Sequence, residues 1–142
     1  MRAPSADTAA VDDGGNMSDD PFDDIEAFFG PYSEAFRSGD MAAIDALFEY
    51  PYLLSNADDT REVANSDFYM SLHDKLKGKG WVGSRFDSFR KFRTGKDGAI
   101  VVVDYSRLRP DQTVINTGRA AYVMRYRSDG WKLVGILDGF PG

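Results

Sequence analysis

The side chains that could do chemistry in this 142-residue chain are one histidine, one mid-strand carboxylate and a set of phenols. His73 is the lone histidine, and an imidazole with an ordinary pKa of ~6.5 can act as acid or base at neutral pH. It falls one helical turn after Tyr69 on an apolar stripe, so it is also placed to pack at the edge of a core. Asp104 stands between Val103 and Tyr105 in a run of strand-forming residues. Its carboxylate can point to solvent, pair with an arginine such as Arg119, or enter a cavity. Only in a cavity would it serve as a base, with burial raising its pKa. Tyr32, Tyr52, Tyr69, Tyr122 and Tyr126 carry hydroxyls on large flat rings. Such phenols stack on a flat ligand and donate to its carbonyls, or they rim a core. Met124 shares the parity of Tyr122 and Tyr126, which suits core filling better than contact with a cofactor.

Other chemistries find little support. There is no cysteine and no second histidine, which argues against zinc. Asp58-Asp59 lacks the further spaced oxygens of a calcium loop and reads as a turn. Gly78-x-Gly80 ends a helix rather than opening one, so it is no phosphate loop. No Gly-x-Ser-x-Gly nucleophile motif occurs. No metal and no cofactor are expected.

The elements that must position these groups can be read from periodicity. A helix is predicted from Asp19–Asp20, with Pro21 at its first position and acids at its positive end. Ile25, Phe28, Phe29, Tyr32 and Phe36 form its apolar stripe, with a kink predicted at Gly30-Pro31. Gly39 supplies a left-handed stop and Asp40 caps a second helix with Ile44, Leu47 and Phe48 on its apolar side. Tyr50–Asn56 reads as a strand whose Pro51 places its start at an edge, and Arg61–Ala64 as a short one. A third helix is capped at Asn65 or Ser66 and runs to about Lys77, carrying Tyr69, Leu72, His73 and Leu76 on one side. Four strands follow: Trp81–Arg93, Ala99–Leu108, Thr113–Arg127 and Trp131–Asp138. In the first of them the alternation slips between Phe86, Phe89 and Phe92, which predicts a bulge. Helices followed by a meander give an α+β domain, three helical segments on a curved, mainly antiparallel sheet.

Size and charge bound the rest. The chain is one domain by length, divided here into an acidic tail over residues 1–18, expected to be disordered, and a folded body over 19–142. Met17 is an alternative start to Met1. The charge of −6 is uneven: residues 1–24 hold seven acids and one base, residues 25–79 ten and five, residues 80–142 six and eleven. A body of balanced charge argues against nucleic acid as a partner. No apolar run approaches the ~20 residues of a membrane helix, and residues 1–15 lack the apolar centre of a signal peptide. With no cysteine, a cytoplasmic location is expected.

The stretch Tyr32–Asp40, then Ile44–Phe48, the strand Pro51–Asn56, Phe68-Tyr69 and the closing Trp131–Val134 resemble the nuclear-transport-factor-2-like superfamily over residues 22–138. That superfamily includes SnoaL-like cyclases and ketosteroid isomerases. The resemblance implies a cone with an interior pocket. It places Tyr32 where isomerases hold a developing oxyanion, with Tyr69 as its support. The isomerases' two carboxylates fall near Asn56 and Tyr122, neither of which can act as a base. The expected pocket comprises Tyr32, Phe36, Tyr52 and Asn56 from the first half, with Tyr69, His73, Tyr122 and Tyr126 from the second.

Three functions fit. The first is a SnoaL-like pocket domain, homodimeric, binding a small and mostly apolar molecule, anionic or neutral, without the isomerase carboxylates. The second is a proton-transfer isomerase, cyclase or dehydratase, in which Tyr32 works with His73 or Asp104. The third is a protein-interaction module acting through its sheet face. Val101, Val103, Ala121 and Val123 are the expected open face of the sheet in a dimer.

Overall fold

The computed structural model describes residues 20–139. The tail predicted to be disordered lies outside them. Asp20 opens the first helical piece, its side chain accepting from the Phe22 amide at 3.0 Å, with Pro21 next in line. This piece, Pro21–Phe28, is a 3-10 helix that passes directly into α1 (Phe29–Ser38). The kink expected at Gly30-Pro31 lies earlier, at Asp24 (φ −111°, ψ 18°) and at the change from 3-10 to α geometry. Pro31 stands in the first turn of α1, where a missing N–H costs no intrahelical bond.

The helix–glycine–aspartate–helix element forms as the sequence implies. Gly39 closes α1 at φ 73°, and Asp40 caps α2 (Met41–Leu47) by accepting from the Ala43 amide at 3.1 Å. The chain then runs through β1 (Phe48–Ser55), β2 (Thr60–Val63), α3 (Asp67–Gly78), β3 (Gly83–Arg93), β4 (Gly98–Leu108), β5 (Val114–Arg127) and β6 (Gly130–Asp138). The strands make one six-stranded sheet in the order β2-β1-β6-β5-β4-β3. Every neighbouring pair is antiparallel except β1 with β6, which is parallel. β1 is therefore not an edge strand. Pro51 is accommodated because the β1–β6 ladder is interrupted between Phe48 and Leu53, and β2 pairs only from Tyr52 onward. The predicted bulge in β3 is present between Phe86 and Ser88, and others lie on the β5–β6 and β4–β5 ladders. No described helix is long and apolar enough to cross a membrane.

Residues paired across strands share a face, and this sorts the sheet into two. One face carries Ala99, Val101 and Val103 of β4, Ala120, Tyr122 and Met124 of β5, and Leu133 and Ile136 of β6. It packs under the helices with Ile25, Phe29 and Ile44 to form the core. The other face carries Ile100 and Val102 beside Val123 and Ala121, then Leu137. Val101 and Val103, expected on the open face, are fully buried beneath the helices, because β4 takes the opposite parity from that expectation. Ala121 and Val123 do lie on the open side.

α3 grips α1 through His73. Its Nε2 lies 3.2 Å from the Arg37 carbonyl in the last turn of α1. The imidazole ring lies against the bare Cα of Gly39, where a Cβ would come within 3.0 Å of His73 Cε1. Gly39 thus meets two demands at once, a positive φ and a close approach. Replacing it with alanine is expected to lower unfolding free energy by about 1–2 kcal/mol from the backbone alone, and more from displacing the imidazole. Urea unfolding of Gly39→Ala checks this; an unchanged midpoint would show that the contact can relax.

Candidate functional site

Between the helices and the inner face of the sheet lies a cavity of about 360 Å³. Its inner end is closed by three phenols from three elements: Tyr32 of α1, Tyr69 of α3 and Tyr122 of β5, all buried. The hydroxyls of Tyr32 and Tyr69 are 2.7 Å apart. Tyr122 meets Tyr32 edge to face, with ring centroids 5.8 Å apart. Burial comes first in holding Tyr32 well above the ordinary pKa of a phenol, with the neighbouring Tyr69 adding to it. Tyr69 is raised by burial and then by Tyr52, and Tyr122 by burial and then by Tyr32. At neutral pH these groups are donors and acceptors of hydrogen bonds, not bases.

The inner face of the sheet sets the polarity of the wall in steps of two residues, about 7 Å each. Tyr122 pairs with Val101 and Ile136; Ala120 pairs with Val103 and Asp138; Gly118 pairs with Tyr105; Asn116 pairs with Arg107. Polarity therefore rises outward from the phenols. Tyr105 donates to Asp138 Oδ1 at 3.2 Å. Its ring reaches across β5 only because residue 118 is glycine, where a Cβ would sit 2.5 Å from the phenol Cζ and Oη. The Arg107 guanidinium lies 5.3 Å from the centre of the same ring. Burial, followed by the negative charge of Asp138, pushes Tyr105 up to about 12. The mouth is lined by Arg61, Lys75 and Lys79 beside Asp58 and Asp59, with Arg61 paired to Asp59 at 2.6 Å.

Of the residues singled out from the sequence, Tyr32, Phe36, Asn56, Tyr69 and Tyr122 line this cavity. Asn56 is there as a turn cap: its Oδ1 accepts from the amides of Asp58 and Asp59 at 2.9 and 3.0 Å. The other three do not line it. Tyr52 is packed in the core against Phe48 and Tyr69, its hydroxyl buried and unbonded. Tyr126 stacks edge-on with Trp131 at the β5–β6 hairpin, the end of the sheet away from the mouth. His73 sits behind the wall, in contact with Phe36 and Trp81 and bonded to α1.

Asp104 is on the opposite side of the sheet. Arg119 Nε donates to its Oδ1 at 2.5 Å and the Ser88 hydroxyl to its Oδ2 at 2.8 Å. These bonds, Arg119 first, lower its pKa to about 2. Neither His73 nor Asp104 can reach a molecule held by Tyr32, so the proton-transfer scheme built on them is not supported by the geometry. Asp138, the carboxylate that lines the cavity inside its mouth, was not singled out, nor were Tyr105, Asn116 and Arg107. Alternation counted inward from Leu133 would turn Asp138 outward. The irregularity that pairs Val123 with Gly135 but Met124 with Leu133 reverses the parity. Among the described residues no group of histidine, aspartate or glutamate is arranged to hold a metal ion.

The raised phenols set an alkaline limit. A phenol whose folded pKa exceeds its unfolded value of ~10 contributes stability below that pH and loses it above. Stability is therefore expected to fall steeply above about pH 10, with the inner phenols ionising only as the protein unfolds. Phenolate absorbance followed alongside urea midpoints tests this. Ionisation of Tyr32, Tyr69 and Tyr122 near pH ~10 in the folded protein would show that the inner end is open to water.

The profile of an NTF2-like protein family, DUF6841, matches residues 23–139. Among solved structures, an NTF2-like protein of unknown function from Shewanella oneidensis MR-1 is 20% identical, with 84% of this chain and 99% of that one covered and a TM-score of 0.65. An NTF2-like protein with a cystatin-like fold from Novosphingobium aromaticivorans is 15% identical over 84% of this chain and 81% of that one, TM-score 0.67. A third, from Pseudomonas putida KT2440 and also of unknown function, is 16% identical over 89% and 90%, TM-score 0.64. No curated protein matches the chain. With a helical roof on a bent sheet, the phenol-ended cavity between them and a family match across nearly all the described residues, this chain belongs to the NTF2-like superfamily.

Proposed function

We propose that this domain binds a small, mostly apolar molecule between its helices and its sheet. The observation that carries this reading is the cavity itself. It has about 360 Å³ of space, within the ~300–1,000 Å³ range of small-molecule sites. One end is sealed by hydrogen-bonded phenols and the other is edged with charge. Apolar walls from Phe36, Leu72 and Ile136 would supply most of the binding energy, and the hydroxyls would orient the ligand. The basic groups at the mouth favour an anionic substituent directed outward. A cytoplasmic setting accords with a chain that has no disulfide to form.

Leu72 is a half-buried residue of α3 that lines the cavity, so Leu72→Trp should fill it. Anilinonaphthalene sulfonate, an aromatic anion, is expected to bind one per chain. The variant should weaken that binding by at least about tenfold while circular dichroism stays unchanged. Undiminished binding would place the dye elsewhere and remove the basis of this reading.

A second reading, proton transfer, is favoured by one observation: Asp138 lines the same cavity as Tyr32. In this version Asp138 takes the role that His73 and Asp104 are too far away to fill. It differs from simple binding in requiring turnover that Asp138→Asn abolishes.

The open face of the sheet is the proposed contact with a second copy of the chain. Leu137 is 59% exposed, Leu53 54% and Phe92 52%; Leu137 lies on the strand next to Val123, and Leu53 and Phe92 lie two strands away on either side. An apolar surface of this kind on a sheet face calls for a cover. A self-complementary contact about a twofold axis is the commonest solution. Light scattering should report dimers for the wild type and monomers for Leu137→Arg. A monodisperse monomer from the wild type would leave this face for a different chain, as an interaction module requires.

A further inference from the structure

We infer that Asp138 is the ligand-facing acceptor of the cavity, and that its occupant is a flat molecule with a hydroxyl or N–H donor directed at that carboxylate. The inference rests on the binding reading above and adds the chemistry of the ligand. Three features of the wall carry it.

First, the inner end is closed by hydroxyls. Tyr32 and Tyr69 are bonded to each other, and Tyr122 is a further hydrogen-bond partner of Tyr32. Hydroxyls donate and accept, so this end takes either kind of polar group and the choice of polarity is made further out.

Second, the next step outward is an acceptor, and it is a built one. Asp138 is held from the side by Tyr105, whose ring crosses β5 through the space left by Gly118. A larger residue at 118 would push the phenol off the wall. A carboxylate has about four acceptor positions, so Asp138 can serve its neighbours in the wall and a ligand together.

Third, the wall continues with a second acceptor. Asn116 Oδ1 is buried without a hydrogen-bond partner and its residue also lines the cavity. A buried acceptor left unpaired is unfavourable by about 1–3 kcal/mol, which a donor on the ligand would relieve.

The spacing fixes the scale. Asp138 pairs with Ala120, one two-residue step from Tyr122, so the backbone positions of Tyr122 and Asp138 are offset by about 7 Å along the strands. That is the breadth of one or two fused rings. A ligand that turned an acceptor toward Asp138 would meet a like group there.

The test uses the full chain and two neutral probes of one shape. The probes are 6-acetyl-2-naphthol and its methyl ether, 2-acetyl-6-methoxynaphthalene, titrated by fluorescence at neutral pH. The ether retains the carbonyl and lacks the donor. The wild type is expected to prefer the naphthol by at least about tenfold, as a hydrogen bond to a charged acceptor implies. Asp138→Asn should lose most of that preference. Tyr105→Phe should reduce it without abolishing binding. Tyr32→Phe should weaken both probes alike and leave their ratio intact.

Equal affinities in the wild type, or a ratio that survives Asp138→Asn, would overturn the assignment while leaving the cavity as a binding site. Failure of both probes to bind would overturn the binding reading itself. Should Asp138→Asn fail to fold, the ratio measured on Tyr105→Phe decides, and no change there counts against the proposal.

Discussion

Two phenol hydroxyls that meet at 2.7 Å, Tyr32 on α1 and Tyr69 on α3, set the height of the helical roof over the sheet. Each is buried among aromatic rings, and a buried hydroxyl without a partner would be unfavourable by about 1–3 kcal/mol. Pairing them ties together two helices through residues that are 37 positions apart in the chain. The pair also brings both rings against Phe48 and that of Tyr32 against Tyr122, which closes the inner end of the space below. The cavity is therefore a consequence of how the core satisfies its own hydroxyls. Where the phenols stop, the wall is free to become polar.

The same two helices are joined a second time, one turn further along α3. His73, four residues after Tyr69, is bonded to the Arg37 carbonyl near the end of α1. Because a carbonyl only accepts, the imidazole must donate through Nε2. The ring is packed over Gly39, whose missing side chain makes the approach possible. This explains why the only histidine in the chain is not in the cavity. It is used to hold α3 against the turn that precedes α2, and its neighbours Phe36 and Trp81 fill the space between it and the cavity.

The residues whose position follows from local pattern were legible in the sequence. The Gly39-Asp40 break, the stripe of α3 and the bulge in β3 each depend on neighbours within a few positions. Tyr32 and Tyr69 were legible too, since helical spacing and the family resemblance agree on them. Tyr52 and Tyr126 were not separable from the pocket phenols, because parity gives a face of the sheet but not a distance along it. Tyr126 shares the face of Tyr122 and lies at the hairpin end, under the 3-10 helix, where Trp131 donates to the Pro21 carbonyl at 3.1 Å. The choice of face for β4 failed for a related reason. A strand reading Ile-Val-Val-Val-Asp has apolar residues on both parities, and only its pairing with Tyr122 and Met124 shows which one the helices cover.

Asp104 and Asp138 show how much depends on register. Both are aspartates on strands of the same sheet, and by local sequence Asp104 is the one among tyrosines and valines. The fold puts it on the far side, where Arg119 and Ser88 hold it as a stable anion. Asp138 is brought inward by one extra residue on β6, which reverses the strand's parity between Leu133 and Ile136. A single-residue shift thus moves the cavity's carboxylate from one strand to another that alternation alone would have excluded. The two positions where the isomerase resemblance would place carboxylates hold Asn56 and Tyr122 here. The polarity of the wall comes instead from β6, through a bulge, a glycine at 118 and a phenol laid across it.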